Sequence, residues 1–209
     1  MKKTILFTAV VFLAMNTLSA QYSIGLTTGI NHTNVHFSES TQLSSEAETH
    51  YFVGLSPGLN LGSNFSVNLN ILYSVKGLSI HQPEEVLDAR YRFNLIDFYP
   101  ELKYQVLDHL SLFMGFYYGL FIDQSRKFSG ENKWTDLSDQ GILTKNDFGL
   151  TAGLEGEWNN LFIFLRYTHG LQDVWKVTMT DAHGQDIPGE RYLRNFQLGI
   201  GYRLDLGKS

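Results

Sequence analysis

Strict alternation of apolar and polar residues at the end of the chain limits its fold most sharply. Residues 195–206 read NFQLGIGYRLDL, and every second position from Phe196 to Leu206 is apolar. A period of two residues gives a β-strand with two unlike faces. A soluble barrel turns the apolar face of such a strand inward, whereas a membrane barrel turns it towards lipid. The direction of this face therefore decides the class of protein.

The same period occurs eight times after the first twenty residues. It predicts strands at residues 22–31, 51–61, 65–77, 91–104, 110–122, 147–158, 161–171 and 195–206. In the fourth segment the phase slips near Leu95 and Ile96, which predicts a β-bulge there. In the seventh segment Phe162 and Phe164 fall on the polar side.

The connections between these segments alternate in length. Short turns are predicted at residues 62–64, 107–109 and 159–160, and long polar loops at residues 33–48, 78–90, 123–145 and 173–190. Outer-membrane barrels have short periplasmic turns and long extracellular loops. The chain is therefore predicted to be all-β, an eight-stranded antiparallel up-and-down transmembrane β-barrel with four long extracellular loops.

The first twenty residues have the pattern of a secretory signal peptide. Lys2 and Lys3 precede an apolar stretch, and small residues lead to a cleavage position after Ala20. The alternative, a single membrane anchor, would need roughly 20 apolar residues. We therefore expect a signal peptide at residues 1–20, a barrel domain at residues 21–209 and a location in the outer membrane of the cell.

Composition excludes several classes of function. The chain has no cysteine, so it has no disulfide framework and no thiolate metal site. Its formal net charge of -5 gives no basic footprint for nucleic acid. No phosphate-binding loop or hydrolase motif is present, and no catalytic, cofactor or metal residues are predicted.

Glycine distribution predicts which face looks inward. The side opposite the apolar residues collects ten glycines: Gly25, Gly29, Gly54, Gly58, Gly115, Gly119, Gly149, Gly153, Gly199 and Gly201. An eight-stranded lumen holds little beyond its own side chains, so small residues belong there. The apolar side should therefore face lipid, with Tyr22, Tyr104, Trp158 and Tyr202 near a membrane interface.

Charged residues on the inward side form a predicted lumen network. Its members are Lys76, Asp97, Glu101, Lys103, Glu155, Glu157, Arg166, Arg203 and Asp205. Buried charges are costly unless they are paired, which favours ion pairs that fill the interior. The alternative is a conduction path lined by the same residues.

Several segments resemble the PorT-like outer-membrane β-barrel domain family. They are LSAQ at the end of the leader, YSIGLTTGIN, NLNILYSVKG, DFYPELKY and GIGYRLDL. The resemblance covers essentially the whole mature chain and implies an eight-stranded barrel of the Gram-negative outer membrane. It brings no catalytic residue, and its namesake is implicated in protein secretion. Asn70 stands at a third-strand position that is often acidic in the family.

The long loops are the expected place for recognition, because rigid strands hold connecting segments out for contact. Phe128, Trp134 and Trp175 are the candidate contact residues, and loop self-packing or strand extension is the alternative. His169 is a candidate base for a small lipid-modifying enzyme, although no partnered serine accompanies it.

Three hypotheses for function follow. The first is a non-enzymatic outer-membrane protein that is structural or binds through its loops, and the second is an accessory factor in secretion or envelope assembly. The third is the lipid-modifying enzyme. Expected partners are outer-membrane lipid and an envelope or extracellular protein or glycan, with no nucleic acid, no cofactor and a monomeric chain.

Overall fold

Eight long strands run through the part of the chain that the computed structural model describes, which is residues 21–38, 44–62, 64–81, 88–176, 179–180, 186–187 and 189–206. The expected signal peptide lies outside these residues. The strands are β1 (Tyr22–Phe37), β2 (Ser44–Asn60), β3 (Phe65–His81), β4 (Ala89–Leu107), β5 (Leu110–Phe128), β6 (Asn146–Trp158), β7 (Leu161–Gly170) and β8 (Arg191–Leu206).

These strands close into a ring. Each strand pairs antiparallel with the next along the chain, and β1 pairs with β8 from Tyr22 opposite Leu206 to Phe37 opposite Arg191. The predicted eight-stranded up-and-down barrel is therefore confirmed. Three two-residue strands lie above the ring, at Thr135–Asp136 beside β5 and at Met179–Thr180 paired with Asp186–Ile187.

The described residues contain no helix that is long and apolar enough to cross a membrane.

The apolar face of each strand points outward. In β8 the Phe196 side chain is 51% exposed, whereas its neighbour Gln197 is 0% exposed. The outward set on the other strands includes Leu26, Ile30, Val53, Leu55, Met114, Phe116, Leu150 and Ile163. An apolar exterior around a buried polar interior is the arrangement of a membrane barrel, so the predicted orientation is confirmed.

Most of the strands are longer than the sequence predicted. A tilted membrane strand needs about 9–11 residues, but β4 and β5 have 19 each. Parts of the predicted long loops are therefore strand, including Asp123 to Phe128 at the end of β5. The upper ends of the strands continue beyond the membrane, on the side of the long loops.

Strand β4 shows where the membrane ends. Its buried positions alternate without a break from Ala89 to Lys103, yet the buried residues are apolar above and mostly polar below. The upper buried residues are Tyr91, Phe93 and Leu95, and the lower ones include Asp97, Glu101 and Lys103. The change of pattern near Leu95 thus reflects a change of surroundings, from water outside the barrel to lipid outside it.

An irregularity is present at the place where the bulge is predicted, but the strand that holds the extra residue is corrected. The β4–β5 register does shift between Asn94 and Leu95, but the extra residue belongs to β5. Asn94 pairs with Asp123 and Leu95 pairs with Phe121, which leaves Ile122 between them. The alternation of β4 itself needs no extra residue.

Glycines on the inner face make room for buried rings. A Cβ placed on Gly199 would overlap the rings of Phe164 and Phe52, and one on Gly201 would overlap Phe162. The two phenylalanines that interrupt the polar side of β7 are therefore interior packing residues. Together the inner aromatic and aliphatic side chains form one lumen cluster: Phe52, Leu72, Tyr99, Phe113, Tyr117, Phe162 and Phe164.

We predict that Gly199→Ala destabilises the barrel by about 1–3 kcal/mol, because an added methyl overpacks the ring contact with Phe164. Gly156→Ala is the matched control, since its Cβ would meet only ordinary contacts at 3.7 Å and 3.8 Å. Urea unfolding in detergent micelles measures both. Equal stability of the two variants would contradict this packing.

Candidate functional site: the filled lumen and the extracellular end

An arginine–glutamate pair occupies the middle of the lumen. Arg166 on β7 donates to Glu101 on β4 through Nε at 2.7 Å and through a second nitrogen at 3.1 Å. Asn70 donates to the same carboxylate at 2.8 Å, and Arg166 donates to Gln197 Oε1 at 2.8 Å. The guanidinium also lies 4.3 Å from the ring centre of Tyr99. Every polar atom of this buried pair thus meets a partner or a ring face, which is what a buried ion pair requires.

A second group of charges lies towards the periplasmic end. Lys103 pairs with Glu155 at 2.5 Å, and Arg203 pairs with the same carboxylate at 2.9 Å and with Glu157. The Arg203 guanidinium covers the Phe162 ring at 4.5 Å. Two cations thus share two carboxylates between β4, β6 and β8.

A third group lies towards the extracellular end of the lumen. Lys76 pairs with Asp97 at 3.0 Å and donates to the Tyr117 hydroxyl at 2.8 Å. The Tyr99 hydroxyl donates to Asp97 at 3.3 Å. Asp147 is also completely buried, and it is a titratable lumen residue that the sequence analysis did not include. It falls in phase with the inner positions of β6, which is the signal that could have found it.

The nine predicted network residues differ in how deeply the structure buries them. Seven are buried, whereas Glu157 is half-buried and Asp205 is exposed. The expectation of an interior Asp205 is corrected, because β8 ends at Leu206 and the lumen opens to the periplasm there. Both residues line a polar hollow at the periplasmic mouth.

Asn31 is an interior residue that the sequence reading did not single out. The β2–β3 ladder shifts register between Ala47 and Phe52, and Asn31 Nδ2 donates to the carbonyls of Tyr51 at 3.3 Å and Val75 at 3.0 Å. Its amide therefore satisfies backbone groups beside an irregular part of the ladder, where an unpaired carbonyl would be costly.

Above the membrane a separate apolar core fills the barrel. It joins inner residues of the strands to residues of two loops, namely Val35, Leu78, Ile80, Ala89, Tyr91, Phe93, Leu95, Leu137, Leu143, Val174, Trp175 and Leu193. The two loop segments pair with each other, since Thr144 N donates to Val174 O at 3.0 Å and Lys176 N to Ile142 O at 2.8 Å. Burial raises the pKa of Tyr91, although the nearby Arg126 guanidinium opposes the shift. The extracellular end is thus built like a small soluble core.

The three candidate contact residues of the loops differ in their exposure to solvent. Trp175 is only 3% exposed and packs edge-on against Tyr91, so the expectation that it is open to partners is corrected. Its burial follows from the apolar core, which offers it a place between the strands. Phe128 and Trp134 are half-buried, with Arg126 at 4.2 Å from the first ring and Arg92 at 4.3 Å from the second.

His169 lies on the outer face of β7. Its Nδ1 is 3.4 Å from the Tyr167 hydroxyl, and its ring is 6.3 Å from that of Tyr192. Over the ranges that the structure describes, no group of three or more His, Cys, Asp or Glu side chains is placed to hold a metal ion.

Closed ring, lipid-facing apolar belt and polar interior together define an integral β-barrel protein of the outer membrane. A family model described as an outer membrane protein beta-barrel domain matches residues 17–176. The chain therefore belongs to the outer-membrane β-barrel domain family.

Solved structures of outer-membrane proteins are similar to this chain. Ail, the attachment invasion locus protein of Yersinia pestis, in complex with the heparin analogue sucrose octasulfate, is similar with a TM-score of 0.51 and 13% identity. The match covers 88% of this chain and 99% of Ail. OprG of Pseudomonas aeruginosa is similar with a TM-score of 0.39 and 9% identity, over 90% of this chain and 97% of OprG. No curated protein sequence matches the chain.

We predict that Arg166→Met destabilises the barrel by about 3–5 kcal/mol, because it leaves Glu101 buried without its counter-charge. Adding Glu101→Gln should recover most of the loss. The matched control is Arg90→Met, which removes the 63% exposed partner of Glu48 and should cost at most about 1 kcal/mol. Urea midpoints of the three variants and the parent protein test this, and no recovery in the double variant would contradict the pairing.

Proposed function

We propose that the protein is a non-enzymatic outer-membrane scaffold that closes its own lumen and presents its extracellular end for binding. The observation that carries the proposal is that side chains fill the barrel at two levels. Ion pairs and rings occupy the membrane part, and an apolar core occupies the part above it. Such an interior supports a structural or binding role better than passage of solutes.

The extracellular end offers a polar surface for contact. A hollow between the upper ends of the strands is lined by Glu46, Arg90, Lys127 and Glu131, among others, and Trp134 lies half-buried nearby beneath Arg92. Charges of both signs around an aromatic side chain suit a protein or glycan partner of the envelope or the cell exterior. We propose that the monomeric barrel binds such a partner here.

The PorT-like resemblance supports a narrower proposal, participation in secretion or envelope assembly. It rests on the strand segments that carry the resemblance. A lipid-modifying activity is the weaker candidate, because the neighbours of His169 are tyrosine rings rather than a nucleophile and a carboxylate.

A filled lumen predicts that the purified protein gives no stepwise ion conductance in planar lipid bilayers. The reason is that buried, paired charges and rings fill the membrane part of the lumen. Discrete openings whose size changes with Lys103→Gln, a substitution inside the lumen, would contradict the proposal. A conductance change caused only by Lys127→Gln, a substitution in the extracellular hollow, would point to the surface instead.

Photo-crosslinking in intact cells tests the binding surface. A photo-reactive residue at Lys133, beside Trp134, should capture an envelope or extracellular protein or glycan, because this position is exposed at the extracellular end. The same residue at Asp108, in the short turn between β4 and β5, is the control and should capture none. Adducts from Asp108 alone would favour the assembly role and contradict extracellular recognition.

A further inference from the structure

Three cationic or protonatable side chains meet on the outer surface of β7, β8 and β1. Arg194 pairs across the sheet with His169 on one side and Asn34 on the other, and His36 pairs with Tyr192. Directly opposed side chains have Cβ atoms about 4.5–5.5 Å apart, and diagonal neighbours about 7–8 Å. We call His36, His169 and Arg194 the outer-face cation cluster.

The members of this cluster share one electrostatic environment. Desolvation and the charges of Arg194 and His169 lower the pKa of His36. Arg194 and His169 therefore disfavour the charged form of His36, and an anion beside these side chains would offset that repulsion.

The height of the cluster is set by the apolar belt below it. Phe196, 51% exposed on the same face of β8, lies two residues below Arg194. Two residues rise about 7 Å along a strand, or about 5 Å along the membrane normal for the usual tilt. The headgroup layer on each side of the hydrocarbon is about 5–7 Å thick. Arg194 therefore lies at the depth of lipid headgroups in the outer leaflet.

Arg194 has no counter-charge in the ranges that the structure describes. Its Nε is buried and makes no hydrogen bond there. Glu190, which precedes β8, accepts a hydrogen bond from the Tyr192 hydroxyl. Elsewhere around the upper rim Arg90 pairs with Glu48 at 3.0 Å. Arg92 and Arg126 also have an unbonded buried Nε, but their guanidinium groups lie over the rings of Trp134 and Phe128. A buried guanidinium nitrogen without a hydrogen-bond acceptor is costly. The described part of the protein supplies no acceptor for the Nε of Arg194, and an anion from outside that part would remove the cost.

Aromatic side chains frame the cluster. Tyr167 packs on Phe196 with ring centres 4.7 Å apart, and His169 lies 6.3 Å from Tyr192. Such rings favour the boundary between headgroups and acyl chains. The apolar surface beneath them continues through Leu165, Leu198 and Ile163.

We propose that the outer-face cation cluster binds the phosphate group of an anionic lipid in the outer leaflet, with Arg194 as the principal ligand. A guanidinium fork matches phosphate oxygens, and the rings below it match the start of the acyl chains. Lipid is the occupant because the site faces outward at the depth of the headgroups. There the surrounding lipids already supply phosphate groups, and a soluble anion would have to displace them. The proposal is independent of extracellular recognition and of the closed lumen.

Lipid selectivity measures this site. The protein is reconstituted in phosphatidylcholine vesicles that contain spin-labelled phosphatidylglycerol or spin-labelled phosphatidylcholine, and the motionally restricted fraction is compared. We expect several-fold preference for phosphatidylglycerol, falling about fivefold in Arg194→Gln, the factor expected for one basic charge at an anionic surface. Arg194→Lys should keep most of the preference.

The control is Lys176→Gln, which removes the same charge from an exposed position in the loop before β8. It should leave the preference unchanged. Equal restriction of both lipids by the parent protein would overturn the proposal, and so would equal losses in Arg194→Gln and Lys176→Gln. Heat-dependent migration on gels checks that each variant is folded.

Discussion

Every backbone N–H and C=O inside a bilayer has to be paired within the protein, and the rest of this structure depends on that constraint. Strands can meet it only in a closed ring, because an open edge would leave a row of unpaired groups in hydrocarbon. Here the ring closes through β1 and β8, from Tyr22 opposite Leu206 upward. Closure with eight strands then fixes a narrow interior.

The narrow interior explains the inner face. A bulky ring such as that of Phe164 fits because the residue paired with it on the neighbouring strand, Gly199, has no side chain. Charges on the same face are far from water and therefore pair, as Arg166 does with Glu101. Aromatic faces cover the guanidinium groups that ion pairs leave partly unsatisfied. Filling of the lumen is thus a consequence of ring size and of the cost of buried charge.

Polarity inverts where the strands leave the membrane. Below this level, lipid surrounds the barrel and the outer residues are apolar; above it, water surrounds the barrel and the inner residues are apolar. Strand β4 crosses the boundary between Leu95 and Asp97, both of which are fully buried. The extracellular end therefore packs its own core, held at the boundary by the ladder between β4 and β5.

Much of this arrangement could be predicted from the sequence, because alternation reports a strand wherever its two faces meet different surroundings. The ring, the lipid-facing side and most lumen charges followed from that signal. The upper strand ends did not follow from it, because the apolar residues face inward there and outward below. The resulting change of phase near Leu95 was interpreted as a bulge in β4. Burial of Trp175 depends on contacts between two loops and the strands, which no local pattern encodes. Exposure of Asp205 depends on where the ring ends rather than on its face.

The central claim is the orientation of the two faces and their inversion along β4, and cysteine scanning tests it most directly because the chain has no cysteine of its own. Single cysteines are placed at Arg90, Arg92, Phe98 and Leu102, all on the outward face, and intact cells are treated with a membrane-impermeant thiol reagent. The structure predicts modification at the first two positions and protection by lipid at the last two. Modification at Phe98 or Leu102, or protection at both Arg90 and Arg92, would contradict it.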